Sequence, residues 1–190
     1  MKAAAQLIDI ISGHPFRGRV EAIPDGGVCV VQMKDVGEDE AIRWRETVRT
    51  NLTGKKKPDY LQAGDVLLTA RGSRNYAVCL EDVPCPAVCS PHFYLLRVKP
   101  GVLLLPAFLA WQLNQVPAQR YFERSAEGSW QRSIRRPLLA ALPLEVPEVV
   151  LQKKVLAVAA LARREADTFK RLMENRERML KSIAKDILGD

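Results

Sequence analysis

The spacing of apolar and polar positions divides the chain into two unlike regions. Before Pro147, apolar runs are short and are broken by glycine, proline and polar clusters. From Val149 to Leu188 there is neither glycine nor proline, and apolar residues recur at helical intervals. Leu151, Val155, Val158, Ala162, Phe169, Leu172, Met179 and Ile183 fall at steps of three and four or their sums, which places them on one stripe of a helix. Glu165 and Arg176 interrupt that stripe. At 1.5 Å rise per residue the helix is ~60 Å long, about twice the width of a small domain. Such a stripe cannot be covered by its own chain alone and predicts a partner helix.

In the first region, residues 2–11 suit a short helix or an edge strand, and 12–19 a loop with two glycines and a proline. In that loop Phe16 reads as a plug on the core. A strand over Val28–Met33 follows the turn Asp25-Gly26-Gly27. The charged stretch from Lys34 to Pro58 carries Arg43-Trp44-Arg45 and then Lys55-Lys56-Lys57. The lysine run is either a solvated loop or a set of phosphate contacts, with Arg17 a further candidate. Gly64-Asp65 makes a turn into a buried strand over Val66–Ala70, and Ala77–Leu80 resumes a strand, giving a hairpin-like unit. Between these strands lies a polar loop with Arg71, Ser73, Arg74, Asn75 and Tyr76. Arg and Asn are the side chains that read guanine and adenine edges bidentately, although Arg71 could equally pair with a carboxylate.

Phe93–Val98 reads as a strand, Pro106 as a helix start running to about residue 114, and Pro117 as the start of a second short helix. A second polar loop, Glu127–Arg136, combines Trp130, Gln131, Arg132, Arg135 and Arg136. Arginines beside an aromatic suit a nucleic-acid surface, the alternative being a core-capping Trp among solvated arginines. Leu138–Val146 is expected to form a short apolar strand, ended by Pro147.

Charge sharpens this picture only slightly. The 190 residues carry a net +7, and the segment from Val149 holds ten basic against six acidic side chains. A modest basic excess favours polyanion partners or solubility. No apolar run reaches the ~18–20 residues of a membrane span, and the N-terminus lacks the features of a secretory signal. The four cysteines, Cys29, Cys79, Cys85 and Cys89, are sparse enough for a reducing cytoplasm and are expected as free thiols. Cys79, Cys85, Cys89 and His92 have poor zinc spacing and prolines among them, so no metal is expected. There is no glycine-rich nucleotide loop, no Walker-type lysine motif and no Asn-Pro-Pro-aromatic motif. Neither His14 nor His92 has a triad context. No catalytic residue and no cofactor are expected.

The order of these motifs resembles one half of a specificity subunit of the type I restriction-modification systems. Ile11-Ser12-Gly13-His14-Pro15-Phe16 looks like that family's opening loop, and Gly64-Asp65 through Arg71-Gly72-Ser73 is similar to its glycine-aspartate, strand, arginine-glycine signature. Phe93–Arg97, Pro106–Leu109 and Gly128-Ser129…Ile134 follow at family-like spacing. Leu142-Pro143-Leu144-Glu145-Val146-Pro147 then leads to Gln152…Val155, as at the start of the family's spacer helix. The stretch from Arg17 to Pro58 matches nothing in the family pattern.

The resemblance implies an α+β chain, with a mixed, strand-rich target recognition domain over residues 1–147 and a long coiled-coil helix over 148–190. It implies a cytoplasmic, non-catalytic subunit that binds double-stranded DNA and positions a DNA adenine methyltransferase subunit, with a restriction or translocase subunit in some complexes. Full-length members have two recognition domains and two helices. A chain with one of each implies a single half-site and a homodimer through the helix. The rival readings are a stand-alone DNA-binding or regulatory module, a nuclease fragment, and a helix-mediated structural dimer.

Overall fold

The computed structural model describes residues 1–37, 41–53, 57–71, 75–124 and 133–189. In chain order its elements are β1 (Lys2–Ala3), α1 (Ala4–Leu7), β2 (Ile8–Ser12), β3 (Val28–Val31), β4 (Val48–Thr50), β5 (Val66–Thr69), β6 (Ala77–Cys79), β7 (Ala87–Cys89) and β8 (Phe93–Val98). Then come α2 (Pro106–Leu113), α3 (Val116–Arg124), α4 (Arg136–Ala141), β9 (Pro143–Leu144) and α5 (Val149–Leu188). The chain forms two compact units, Met1–Val149 and Val150–Asp190.

Two main sheets build the first unit, beside a two-stranded pair of β1 and β9. One is antiparallel throughout, in the order β2-β8-β5-β6; the other, β4-β3-β7, is mixed, with β3 and β7 parallel. Alternation along each strand sends successive side chains to opposite faces. Leu67, Phe93 and Leu95 from the first sheet therefore meet Cys29, Val31, Ala87 and Cys89 from the second in one buried cluster. On the far face of the second sheet Val28, Val30 and Val88 are covered by Phe16, Val20 and Leu52. Phe16 is thus the core plug expected. Covered on both faces, β3 buries all four residues, which is why it reads Val-Cys-Val-Val rather than alternating. Helix α2 packs along β5 and β6. It starts with Pro106, whose missing N–H costs nothing at a helix start, and buries Phe108, Leu109, Ala110 and Leu113.

The Gly64-Asp65 turn has a firm physical basis. Gly64 takes φ +86°, which favours glycine. Asp65, almost fully buried, accepts from the Gln62 N–H at 2.8 Å and takes a two-pronged bond from Arg97 at 2.7 Å on each oxygen. The same guanidinium donates to the Tyr60 carbonyl at 3.2 Å. That Asp65 bond, ahead of charge attraction to Asp65, holds Arg97 still more firmly protonated than usual. At the sheet's edge the Asn114 amide clamps Ala77, accepting from its N–H at 2.7 Å and donating to its carbonyl at 2.9 Å.

Two local expectations are corrected. Residues 138–146 are not a strand: α4 occupies Arg136–Ala141, and only Pro143–Leu144 is extended, paired with β1. Pro137 sits in the first turn, where proline is tolerated, and Leu-Leu-Ala-Ala is a strong helix-forming run. Two stretches given no element by the sequence hold strands: 84–92 contains β7 and 34–58 contains β4, with 3-10 turns at Met33–Asp35 and Trp44–Glu46. Two of the four cysteines are not free: Cys29 and Cys85 are joined as a disulfide, leaving Cys79 and Cys89 as thiols. Burial, ahead of the nearby Glu81 and Asp65 charges, raises the Cys79 thiol to about 11.

The second unit is α5, one uninterrupted helix of 40 residues. Gln152 is its only buried residue, and every position after Ala159 is exposed. Val158, Phe169, Leu172, Met179 and Ile183 of the stripe are therefore open, and Met173, Leu180 and Ile187 widen the same apolar face. No helix among the described residues is long and apolar enough to cross a membrane.

Candidate nucleic-acid interface

The antiparallel pairings carry four chain segments to one end of the first sheet: the exit of β2, the approach to β8, the exit of β5 and the approach to β6. β3 and β7 of the second sheet also end there, because the Ser90 N–H donates to the Val31 carbonyl at 2.9 Å and the His14 N–H to that of Cys89 at 2.8 Å. Gly13 makes this approach possible. A Cβ on it would lie 2.0 Å from the Ser90 carbonyl oxygen.

The first candidate loop leaves β5 at this end. Its base is closed by Thr69, whose N–H donates to the Tyr76 carbonyl at 2.9 Å and whose hydroxyl accepts from the Tyr76 N–H at 2.8 Å. Asn75 is buried and donates its amide N–H to the Thr69 carbonyl at 2.9 Å. The Tyr76 hydroxyl reaches the Met33 carbonyl at 3.5 Å, and burial raises its pKa. Asn75 and Tyr76 are thus engaged in holding the loop, whereas Arg71 is exposed.

The second candidate loop returns to the same place. Arg71 forms an antiparallel bridge with Ser133, and the Ile134 N–H donates to the Ala70 carbonyl at 2.9 Å. The Tyr94 hydroxyl donates to the Ile134 carbonyl at 3.0 Å. Two stretches more than sixty residues apart in sequence are thereby laid side by side. Arg135 and Arg136 follow immediately, both exposed, at the start of α4. Arg17 is exposed three residues beyond His14. Lys57 is not brought to this group. Its chain leaves β4 at Thr50, paired with Val28, and reaches Leu61, whose N–H donates to the Ala87 carbonyl; both contacts lie at the opposite end of the sheet. Lys55, Lys56, Ser73, Arg74, Trp130, Gln131 and Arg132 lie outside the described residues.

His92, given no role by the sequence, also lies at this end. Its carbonyl accepts from the Ala70 N–H at 2.7 Å, and it is exposed beside the Arg71 segment. Only pairing between distant strands puts it there, so no local signal could have found it. Among the described residues no group of three or more His, Cys, Asp or Glu side chains is placed to hold a metal ion.

No protein-family profile and no curated protein sequence matches the chain. Solved structures do. The crystal structure of the HsdS subunit from Thermoanaerobacter tengcongensis is similar with a TM-score of 0.68 at 19% identity, covering 98% of this chain and 43% of that one. A chain from a structure addressing complex assembly and conformational transition of the type I R-M system gives 0.67 at 19%, with the same coverage. The type I restriction-modification system S subunit from M. genitalium gives 0.57 at 16%, covering 96% of this chain and 44% of that one. The α+β fold expected from the motif order, a strand-rich domain followed by a long helix, is the fold shared with these subunits. This chain spans less than half of their length.

Proposed function

We propose that this chain is a sequence-specific DNA-recognition subunit of a type I restriction-modification system. It does no chemistry itself. Its globular unit binds one half-site of double-stranded DNA and positions a DNA adenine methyltransferase subunit in the cytoplasm, with a restriction or translocase subunit joining in some complexes. The observation that carries this reading is the Arg71–Ser133 bridge, which unites two arginine-bearing loops, each a candidate on sequence grounds, at one end of the sheet. Arginines there would split between phosphate positioning and base reading. Asn75 and Tyr76 would act by fixing the loop rather than by touching bases. The shared fold supports the assignment.

In this reading the exposed stripe of α5 meets the same helix of a second copy, running antiparallel, because two-fold symmetry in the protein maps onto a split, symmetric target. The helix would set the distance between half-sites. An antiparallel dimer centred near residue 170 or 171 would bring Glu165 of one copy opposite Arg176 of the other.

Methylome sequencing of cells with and without the chain tests the function. The expected result is an adenine-methylated bipartite motif present only when the chain is expressed; an unchanged methylome would refute it. Light scattering tests the dimer, with Glu165→Lys expected to weaken self-association. A monomer both alone and with the methyltransferase would remove the dimer, and an unaffected Glu165→Lys dimer would remove this register.

A further inference from the structure

The turn Ser90–His92 joins β7 of one sheet to β8 of the other and crosses the end of the sandwich where the arginine loops meet. It is pinned from both sides by backbone hydrogen bonds. Ser90 donates to Val31, Phe93 to Ser90, Ala70 to His92, Gly13 to Phe93 and His14 to Cys89, at 2.7 to 3.1 Å. None of these bonds uses the His92 side chain, yet His92 is exposed. The result is an exposed histidine on a turn held by five backbone hydrogen bonds, so presenting it to a ligand costs little backbone ordering.

Its place is also central. In the sheet order β2-β8-β5-β6, His92 precedes β8, an inner strand, with the exit of β2 on one side and Arg71 leaving β5 on the other. With neighbouring strands ~4.8 Å apart, the four strand ends span about 14 Å, comparable to the ~12 Å width of the DNA major groove. A face of that width would set its outer edges against the phosphate walls and its inner strand ends, where His92 sits beside Arg71, against base edges. Imidazole carries an N–H donor, and the acceptor common to both purines in the major groove is N7.

We propose that His92 is a base-reading residue that donates to a purine N7 and so specifies a purine at one position of the half-site. This rests on the DNA-recognition reading above. The full-length chain, wild type and His92→Ala, would be used to select duplexes from a pool with a randomised core, in low salt where phosphate contacts are strongest. The wild type is expected to enrich a motif with a fixed purine. His92→Ala should lose a roughly 3–10-fold preference at that position while keeping the others, the size of one hydrogen bond. Its urea midpoint should be unchanged, because the His92 carbonyl still serves Ala70. Equal weakening across all duplexes would make His92 a phosphate contact and overturn the proposal. An unchanged motif and affinity would overturn it as well. A wild-type chain that enriches no motif would overturn the DNA-recognition reading itself, and this assignment with it.

Discussion

The two units use apolar side chains in opposite ways. In Met1–Val149, Leu67, Leu68, Leu95, Leu96 and Leu109 are all 1% exposed or less. In α5, Phe169 is 66% exposed and Met173 67%. The first unit closes its own core between sheets and helix, whereas the second carries a comparable apolar face with nothing of its own to cover it. Folding of the globular unit is therefore a matter of internal packing. The helix, polar on its other faces, leaves its apolar face exposed.

That contrast can be broken most sharply in the core. All three tryptophans, Trp44, Trp111 and Trp130, precede α5, so tryptophan fluorescence reports unfolding of the globular unit alone. Leu67→Ala should lower its stability by about 3–5 kcal/mol, read as a lower urea midpoint. Asp65→Ala should cost about 3 kcal/mol, because it strands the Arg97 guanidinium and frees the Gln62 N–H; the partial exposure of Arg97 keeps the loss at the lower end for a buried pair. Asn114→Ala removes two hydrogen bonds from the Ala77 backbone and should cost about 1–2 kcal/mol. In contrast, Phe169→Ala should leave the fluorescence transition within about 0.5 kcal/mol of wild type while weakening self-association in light scattering. A core-sized loss from Phe169→Ala would abolish the distinction between the units.

The smallest effect concerns pH. Burial raises Asp35 above its ordinary value, outweighing its bond from the Gln32 N–H. A carboxyl whose folded pKa is raised favours the folded state most at low pH, and that contribution is lost as pH rises through the folded pKa. Asp35→Asn should therefore stabilise the globular unit slightly at neutral pH, with the gain shrinking as pH falls through the carboxylate range.

Much of this was legible in the sequence wherever periodicity or turn chemistry is local. The α5 stripe, the Gly64-Asp65 turn and its hairpin, the Phe93 strand and the Pro106 helix start all follow from neighbouring residues. What was hidden depends on distant partners. β7 exists because β3 pairs with it in parallel across more than fifty residues, and Pro84 and Pro86 disguise it. The Asp65–Arg97 pair, the inward turn of Asn75 and the placement of His92 come likewise from strand register, which no local pattern encodes. The two arginine loops were each visible; that they are neighbours was not. Met173, Leu180 and Ile187 could have been read from the same helical spacing as the rest of the stripe.

The shortest strands carry a separate lesson. β1 pairs Lys2 with Leu144 and Ala3 with Pro143, and the Met1 ammonium lies 3.2 Å from the Glu145 carboxylate. The polypeptide thus enters and leaves the globular unit at one spot. Such a unit has the wiring of a cassette: its two ends lie side by side, so it can be cut out or grafted between other segments with that two-residue seam as the junction to be remade.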